Sequence, residues 1–171
     1  MIIGNGDIAH ALIEGGVDRE DINFFASGVS NSSVKDNETF LKEKLLLSNY
    51  NPEKHLVYFS SLCIYYTDTP YALHKKQMEH FIKNCLKSYT IVRIGNVTWG
   101  NNRNTIINHF KQCYIKGIQP EIKNTYRHLL TKEEFIYWVK LISPGINDVM
   151  NMPGEMVYVN EIWRRVCNGE Y

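Results

Sequence analysis

The stretch that most limits how this chain can fold is Leu56-Val57-Tyr58-Phe59-Ser60-Ser61, followed after a short connection by Thr69-Pro70-Tyr71-Ala72-Leu73-His74-Lys75. A short run of apolar, aromatic and β-branched residues is what a central strand covered on both faces requires. Pro70 suits the first turn of a helix, where its missing N–H has no partner to lose. A buried strand ending in two hydroxyls and leading into a helix, here expected over Pro70 to about Leu86, is a unit of an α/β protein.

Tyr71 and Lys75 lie four apart and so share one face of that helix. A free phenol titrates near 10, too high for a base at neutral pH, and a neighbouring ammonium favours the phenolate. A serine at the strand end can then bond an oxygen whose charge changes, so the three groups form an arrangement able to move a proton while a hydride moves. The Tyr-x-x-x-Lys spacing alone is weak, because the chain holds eleven tyrosines. Tyr50 and Lys54 repeat it, but Pro52 between them would break a helix there. The plainer reading of Tyr71 and Lys75 is a solvated helix face.

Near the start, Met1-Ile2-Ile3 precedes Gly4-Asn5-Gly6-Asp7-Ile8-Ala9 and a helical stretch through Glu14. Placed between a strand and a helix, this GxGxxA pattern proposes a phosphate site: Gly4 for the turn, Gly6 for close approach of a pyrophosphate, Ala9 for packing. The helix N-terminus adds N–H donors and a positive dipole end. A plain glycine turn is the competing reading. Asp18, Glu20 and Asp21 then form an acidic loop before a strand at residues 22 to 30. A helix is expected over Ser33 to Leu47, with Phe40, Leu41, Leu45 and Leu46 on or near its apolar face. Residues 49 to 54 read as a Pro-containing loop. Further on come a strand from Ser88 to Val97, a polar loop, a helix from Thr105 to Lys116 stopped by Gly117 and Pro120, and a last third of mixed elements.

A length of 171 residues suits one compact domain, and 44% hydrophobic residues allow an ordinary core. The formal charge of +1 leaves no electrostatic footprint for nucleic acid or an anionic membrane. Cys63, Cys85, Cys113 and Cys167 show no CxxC spacing, so no metal site and no disulfide framework is expected. No apolar run reaches membrane-spanning length and no signal peptide is expected, which favours a cytoplasmic protein.

Ser60-Ser61, Ile64-Tyr65, Pro70-Tyr71-Ala72-Leu73-His74-Lys75 and Arg93-Ile94-Gly95-Asn96-Val97-Thr98-Trp99-Gly100 together resemble the core of the extended short-chain dehydrogenase/reductases, the sugar-nucleotide epimerase and dehydratase family. The resemblance implies that Ser61, Tyr71 and Lys75 are catalytic, with Lys75 lowering the pKa of Tyr71 and bonding the nicotinamide ribose. It implies that Gly4, Gly6, Ala9 and Ser27 belong to an NAD or NADP site, and that Asn96 contacts a substrate diphosphate. Trp99 replaces the family's usual tyrosine. Tyr126-Arg127-His128-Leu129-Leu130-Thr131-Lys132-Glu133-Glu134 resembles a later family segment in which the arginine, here Arg127, binds sugar-nucleotide phosphate. A turn-forming asparagine and a surface charge are the plainer readings of Asn96 and Arg127. Asn37 is the nearest candidate for the family's additional catalytic asparagine.

The family's second and third strands have no counterpart. The strand after the first helix resembles the family's fourth, and no acidic residue ends a strand where the adenosine ribose would be held. The expected fold is therefore α/β, a reduced Rossmann-like parallel sheet flanked by helices, with residues 117–171 contributing a small vestigial C-terminal substrate lobe. The resemblance implies an NAD(P)-dependent enzyme acting on a nucleotide-activated sugar, and a homodimer built from residues 33 to 48 and 70 to 86. The alternative is a non-catalytic nucleotide- or partner-binding protein on the same scaffold. A small-alcohol or ketone reductase is disfavoured by the sugar-type C-terminal segments.

Overall fold

The computed structural model describes residues 1–48 and 53–171, so Tyr50 and Pro52 of the second Tyr-Lys spacing lie outside the described residues. In chain order the elements are β1 (Ile2–Ile3), α1 (Asp7–Glu14), β2 (Ile22–Phe25), α2 (Asn37–Ser48) and β3 (His55–Ser61). A 3-10 turn (Leu62–Tyr65) leads to α3 (Pro70–Cys85), β4 (Tyr89–Ile94), β5 (Asn96–Val97) and α4 (Ile106–Ile115). The chain closes with β6 (Tyr126–Leu130), α5 (Lys132–Lys140), β7 (Asp148–Met152), β8 (Glu155–Tyr158) and α6 (Val159–Cys167).

Five strands form one parallel sheet in the order β1-β2-β3-β4-β7. Among the described residues nothing pairs with the outer edge of β1, which is the reduced Rossmann-like sheet expected from the sequence. Successive side chains of β3 point to opposite faces, and each face has its own core. Val57 and Phe59 pack with Leu12 of α1 and Phe135 and Val139 of α5. Leu56 and Tyr58 pack with Leu47 of α2 and Met78 and Ile82 of α3. Helices on both faces are why the run at residues 56–59 is uniformly apolar.

Local chemistry sets the helix starts. Thr69 Oγ1 accepts from the Ala72 amide at 3.3 Å with Pro70 just inside, and Thr105 and Thr131 cap α4 and α5 in the same way. Asp36 Oδ1 accepts from the Thr39 amide at 2.8 Å, so α2 begins at Asn37 and not at Ser33.

Two further expectations are corrected. The strand expected over residues 22–30 ends at Phe25. The strand expected over 88–97 breaks at Gly95, whose amide donates to the Met152 carbonyl at 3.0 Å. A Cβ there would stand 2.4 Å from the Pro153 carbonyl oxygen, so only glycine lets the chain leave one sheet for another at this point. β5 then pairs with β6, and β6 with β8, in a three-stranded sheet. This sheet, α4 and α6 share a separate core around Phe110, Leu129, Val157 and Ile162. Segment 117–171 is thus divided: β6, β8 and α6 build the small lobe together with α4, while α5 and β7 serve the main sheet. The four cysteines are unpaired, and among the described residues no helix is long and apolar enough to cross a membrane.

Candidate functional site

A cleft of about 1290 Å³ opens at the C-terminal ends of the parallel strands, between the main sheet and the small lobe. Gly6, Ser27, Ser61, Tyr71, Lys75, Asn96 and Arg127 all line it. Parallel strands feed their loops to one edge, so residues distant in sequence meet there.

Two of the expected phosphate-site residues act from behind. Gly4, at φ +135°, runs so close to the next loop that a Cβ would meet the Ala26 carbonyl oxygen at 2.6 Å. Ala9 is fully buried on the inner face of α1. Gly6 faces open space, and α1 starts there without a side-chain cap, leaving its first-turn N–H groups directed at the cleft. The carboxylate of Asp7 accepts instead from the amides of Asn101 and Asn102, both at 3.0 Å. Trp99 donates its indole N–H to the Asp7 carbonyl at 3.2 Å and packs on Phe135, ring centroids 5.4 Å apart.

The two serines at the end of β3 have different fates. Ser60 is buried and donates to Glu79 at 2.7 Å. Ser61 is half-buried, accepts from the Cys63 amide at 3.2 Å as the cap of the 3-10 turn, and stands close enough to the Tyr71 phenol to act on its ionisation. Burial pushes the Tyr71 phenol well above its ordinary value of 10.0, aided by the charges of Cys63 and Glu43 and opposed by the Ser61 hydroxyl. Burial also raises the Cys63 thiol.

Lys75 corrects an expectation. Its ammonium lies 5.8 Å from the centre of the Tyr71 ring, but it is buried and bonded to Glu43 Oε1 and to the Tyr58 hydroxyl, each at 3.0 Å. Its charge is met by a carboxylate, and Tyr71 is raised, not lowered. Burial works against ionisation of Glu43, but Lys75 and hydrogen bonds from His74, Tyr58 and the Val29 amide bring its pKa down to about 2. Sequence reasoning missed Glu43, because a glutamate within a charged helix carries no mark of burial. Asn37, at the first turn of the same helix, is exposed.

On the opposite wall, Asn96 Nδ2 donates to the His128 carbonyl at 3.0 Å, tying β5 to β6, so it lies in a strand and not in a turn. Arg127 donates to the Tyr126 carbonyl at 3.0 Å, and its half-buried side chain reaches the cleft near Tyr66, whose pKa it pulls downward against the larger effect of burial. His128 Nδ1 is buried and has no hydrogen-bond partner among the described residues. Beneath the site, Arg93 grips Glu79 through two bonds of 2.9 and 2.6 Å and also donates to the Tyr65 hydroxyl.

No family model matches this chain, and no curated protein sequence matches it. Solved structures do. The Bordetella bronchiseptica enzyme WbmG, crystallised with NAD and UDP, is similar over 98% of this chain and 62% of its own, with 16% identity and a TM-score of 0.71. Thermus thermophilus UDP-glucose 4-epimerase, crystallised with NAD, is similar over 95% of this chain and 66% of its own (18% identity, TM-score 0.67). A double mutant of the dTDP-glucose 4,6-dehydratase DesIV from Streptomyces venezuelae gives 96% and 62% (15% identity, TM-score 0.68). The chain thus spans about 60% of the length of WbmG. It carries, in reduced form, the fold of NAD-complexed sugar-nucleotide epimerases and dehydratases.

Proposed function

We propose that the chain is an NAD(P)-dependent enzyme that moves a hydride to or from a nucleotide-activated sugar. The observation that carries this reading is the meeting of Ser61, Tyr71 and Lys75 on one wall of a cleft whose floor is the uncapped start of α1. The neighbours crystallised with NAD or with UDP support the cofactor and substrate class.

The residues present fit one end of a dinucleotide. Open space over Gly6 and the first-turn N–H groups of α1 suit a pyrophosphate, and Ser27 and Lys75 border the place for the nicotinamide end. Among the described residues no strand beyond β1 offers a carboxylate for the adenosine ribose. Bound nicotinamide supplies or accepts the hydride. Ser61 would hold the substrate oxygen beside Tyr71, and Tyr71, kept protonated by its burial, would give that oxygen a proton as hydride reaches the carbon. Arg127 would pair with substrate phosphate by its planar fork. Asn96 would contact the diphosphate from the same wall. A homodimer through α2 and α3 belongs to the same reading.

One observation favours a second reading, a binding protein without redox chemistry: the Lys75 charge is already met by Glu43, and the β1 edge ends the sheet where the adenosine half would sit. Isothermal titration with NAD, NADP and UDP- or dTDP-sugars separates the two, because nicotinamide binding is expected only in the first. Tyr71→Phe should then abolish most turnover while dinucleotide affinity persists. Full turnover in that variant would end the assignment.

A further inference from the structure

A deeply buried polar cluster lies on the far side of Tyr71. Glu43 is 2% exposed, Tyr58 0%, His74 4% and Lys75 2%, and they come from α2, β3 and α3. Glu43 is saturated. Its Oε1 accepts from the Tyr58 hydroxyl at 2.6 Å and from Lys75 at 3.0 Å, and its Oε2 accepts from His74 Nε2 at 2.8 Å and from the Val29 amide at 2.7 Å. Four donors for two oxygens fill the lone-pair sites of a carboxylate. Phe40 stacks on the His74 ring at 4.4 Å and closes the cluster toward α2. The loop after β2 seals it as well: a Cβ on Gly28 would stand 2.8 Å from Lys75 Nζ and 3.0 Å from Glu43 Oε1.

A buried ion pair is costly to desolvate, and packed apolar side chains of similar volume hold a fold as well or better. The ion pair is therefore weak evidence that stability alone accounts for a carboxylate here. Of its three side-chain donors, Lys75 is the one that also borders the cleft. An ammonium has three donors. Glu43 and Tyr58 take one each, which pins the group on the wall of the cleft.

We propose that Glu43 is the positioning residue of this site: it pins Lys75 and neutralises its charge, so that Tyr71 faces a neutral pair and serves as a proton donor in the reductive direction. The proposal rests on the functional reading above, and deepens it by choosing a direction. In that direction the Tyr71 proton goes to the carbonyl oxygen, hydride from reduced nicotinamide goes to the carbon, and the phenolate recovers a proton from water. Most groups around Tyr71 favour a neutral phenol. Cys63 and Tyr66 come from the segment after β3, Glu43 from α2, and burial acts with all three; the Ser61 hydroxyl alone pulls the other way. Lys75, one turn along α3, faces Glu43.

The test is a pH titration followed by NMR of tyrosine labelled with carbon-13 at the ring carbon bearing the hydroxyl, with Tyr71→Phe assigning the signal. In the unaltered protein the Tyr71 signal should remain that of a neutral phenol past pH 10, its ordinary value. In Glu43→Gln, Lys75 loses its counter-charge, and phenolate should appear at a proton concentration about tenfold or more higher, the smaller end of what an unopposed cation at 4–6 Å does. Glu43→Asp should restore the unaltered behaviour in part. An equal titration in the unaltered protein and Glu43→Gln overturns the proposal. So does phenolate from Tyr71 below pH 10 in the unaltered protein, a measurement that decides the matter even where Glu43→Gln fails to fold. Neither readout needs turnover. If isothermal titration finds no dinucleotide binding, the functional reading fails while the role of Glu43 toward Lys75 and Tyr71 is still decided by the titration.

Discussion

Removing the Arg93 guanidinium should destabilise the fold by an amount that can be worked from its surroundings. Glu79 is 4% exposed and receives two bonds from Arg93, at 2.9 and 2.6 Å. In Arg93→Ala the carboxylate stays buried with only the Ser60 hydroxyl at 2.7 Å and the Lys83 ammonium at 3.8 Å. Losing one member of a buried pair costs about 3–5 kcal/mol, and the two remaining partners place the loss near the lower end, about 3 kcal/mol. With a urea m-value of about 2 kcal/mol/M, the unfolding midpoint should fall by about 1.5 M. Urea unfolding followed by circular dichroism reads this directly. The double change Glu79→Met with Arg93→Leu should lose less than Arg93→Ala alone, because no charge is then left uncompensated. A midpoint for Arg93→Ala within about 0.3 M of the unaltered protein, at the same m-value, would show that the pair is not a structural anchor.

Two other expectations concern stability. His55 is buried, accepts from the Gly145 amide on Nδ1 at 3.3 Å and bonds Thr90 through Nε2 at 2.8 Å, and its pKa is depressed below 6.5, mainly by burial. A depressed folded-state pKa means that the unfolded chain binds the proton first, so this stabilisation is complete above pH 6.5 and is lost as pH falls through the lower folded value. The thermal midpoint should therefore drop on acidification below neutrality, and His55→Gln should flatten that part of the curve; equal slopes in both proteins would refute the account. Gly28→Ala should displace the Lys75 ammonium, at a cost of about 1–3 kcal/mol for overpacking. Differential scanning calorimetry should find Tm lower by about 2–4 °C for each kcal/mol, and an unchanged Tm would mean that the contact at Gly28 is slack.

Much of this architecture is legible in the chain because it follows from local chemistry. The apolar run before Ser60, Pro70 after a threonine cap, and Gly4-x-Gly6 between a strand and a helix each restrict the backbone within a few residues, and each stands where expected. The convergence of Gly6, Ser27, Ser61, Tyr71, Lys75, Asn96 and Arg127 on one cleft follows from parallel topology, which brings strand ends together whatever their separation along the chain. The helix α2 is different. Leu41, Leu45 and Leu46 looked like its core face, yet each is at least half exposed, and the residues turned inward are Glu43 and Leu47. A helix with charges around its circumference has no dominant apolar stripe, so what it packs against decides its rotation.

The sequence by itself determined the strand-to-helix frame, the glycine turn, and a set that places Ser61 at a strand end with Tyr71 and Lys75 one turn apart on the next helix, since those depend on periodicity and backbone freedom close at hand. Only the tertiary structure decided the state of that set. The charge on Lys75 acts at Tyr71 according to its nearest partner, and that partner, Glu43, stands 32 residues away in sequence and 3.0 Å away in space. Electrostatic influence depends on distance and burial, quantities that exist only once the chain has folded.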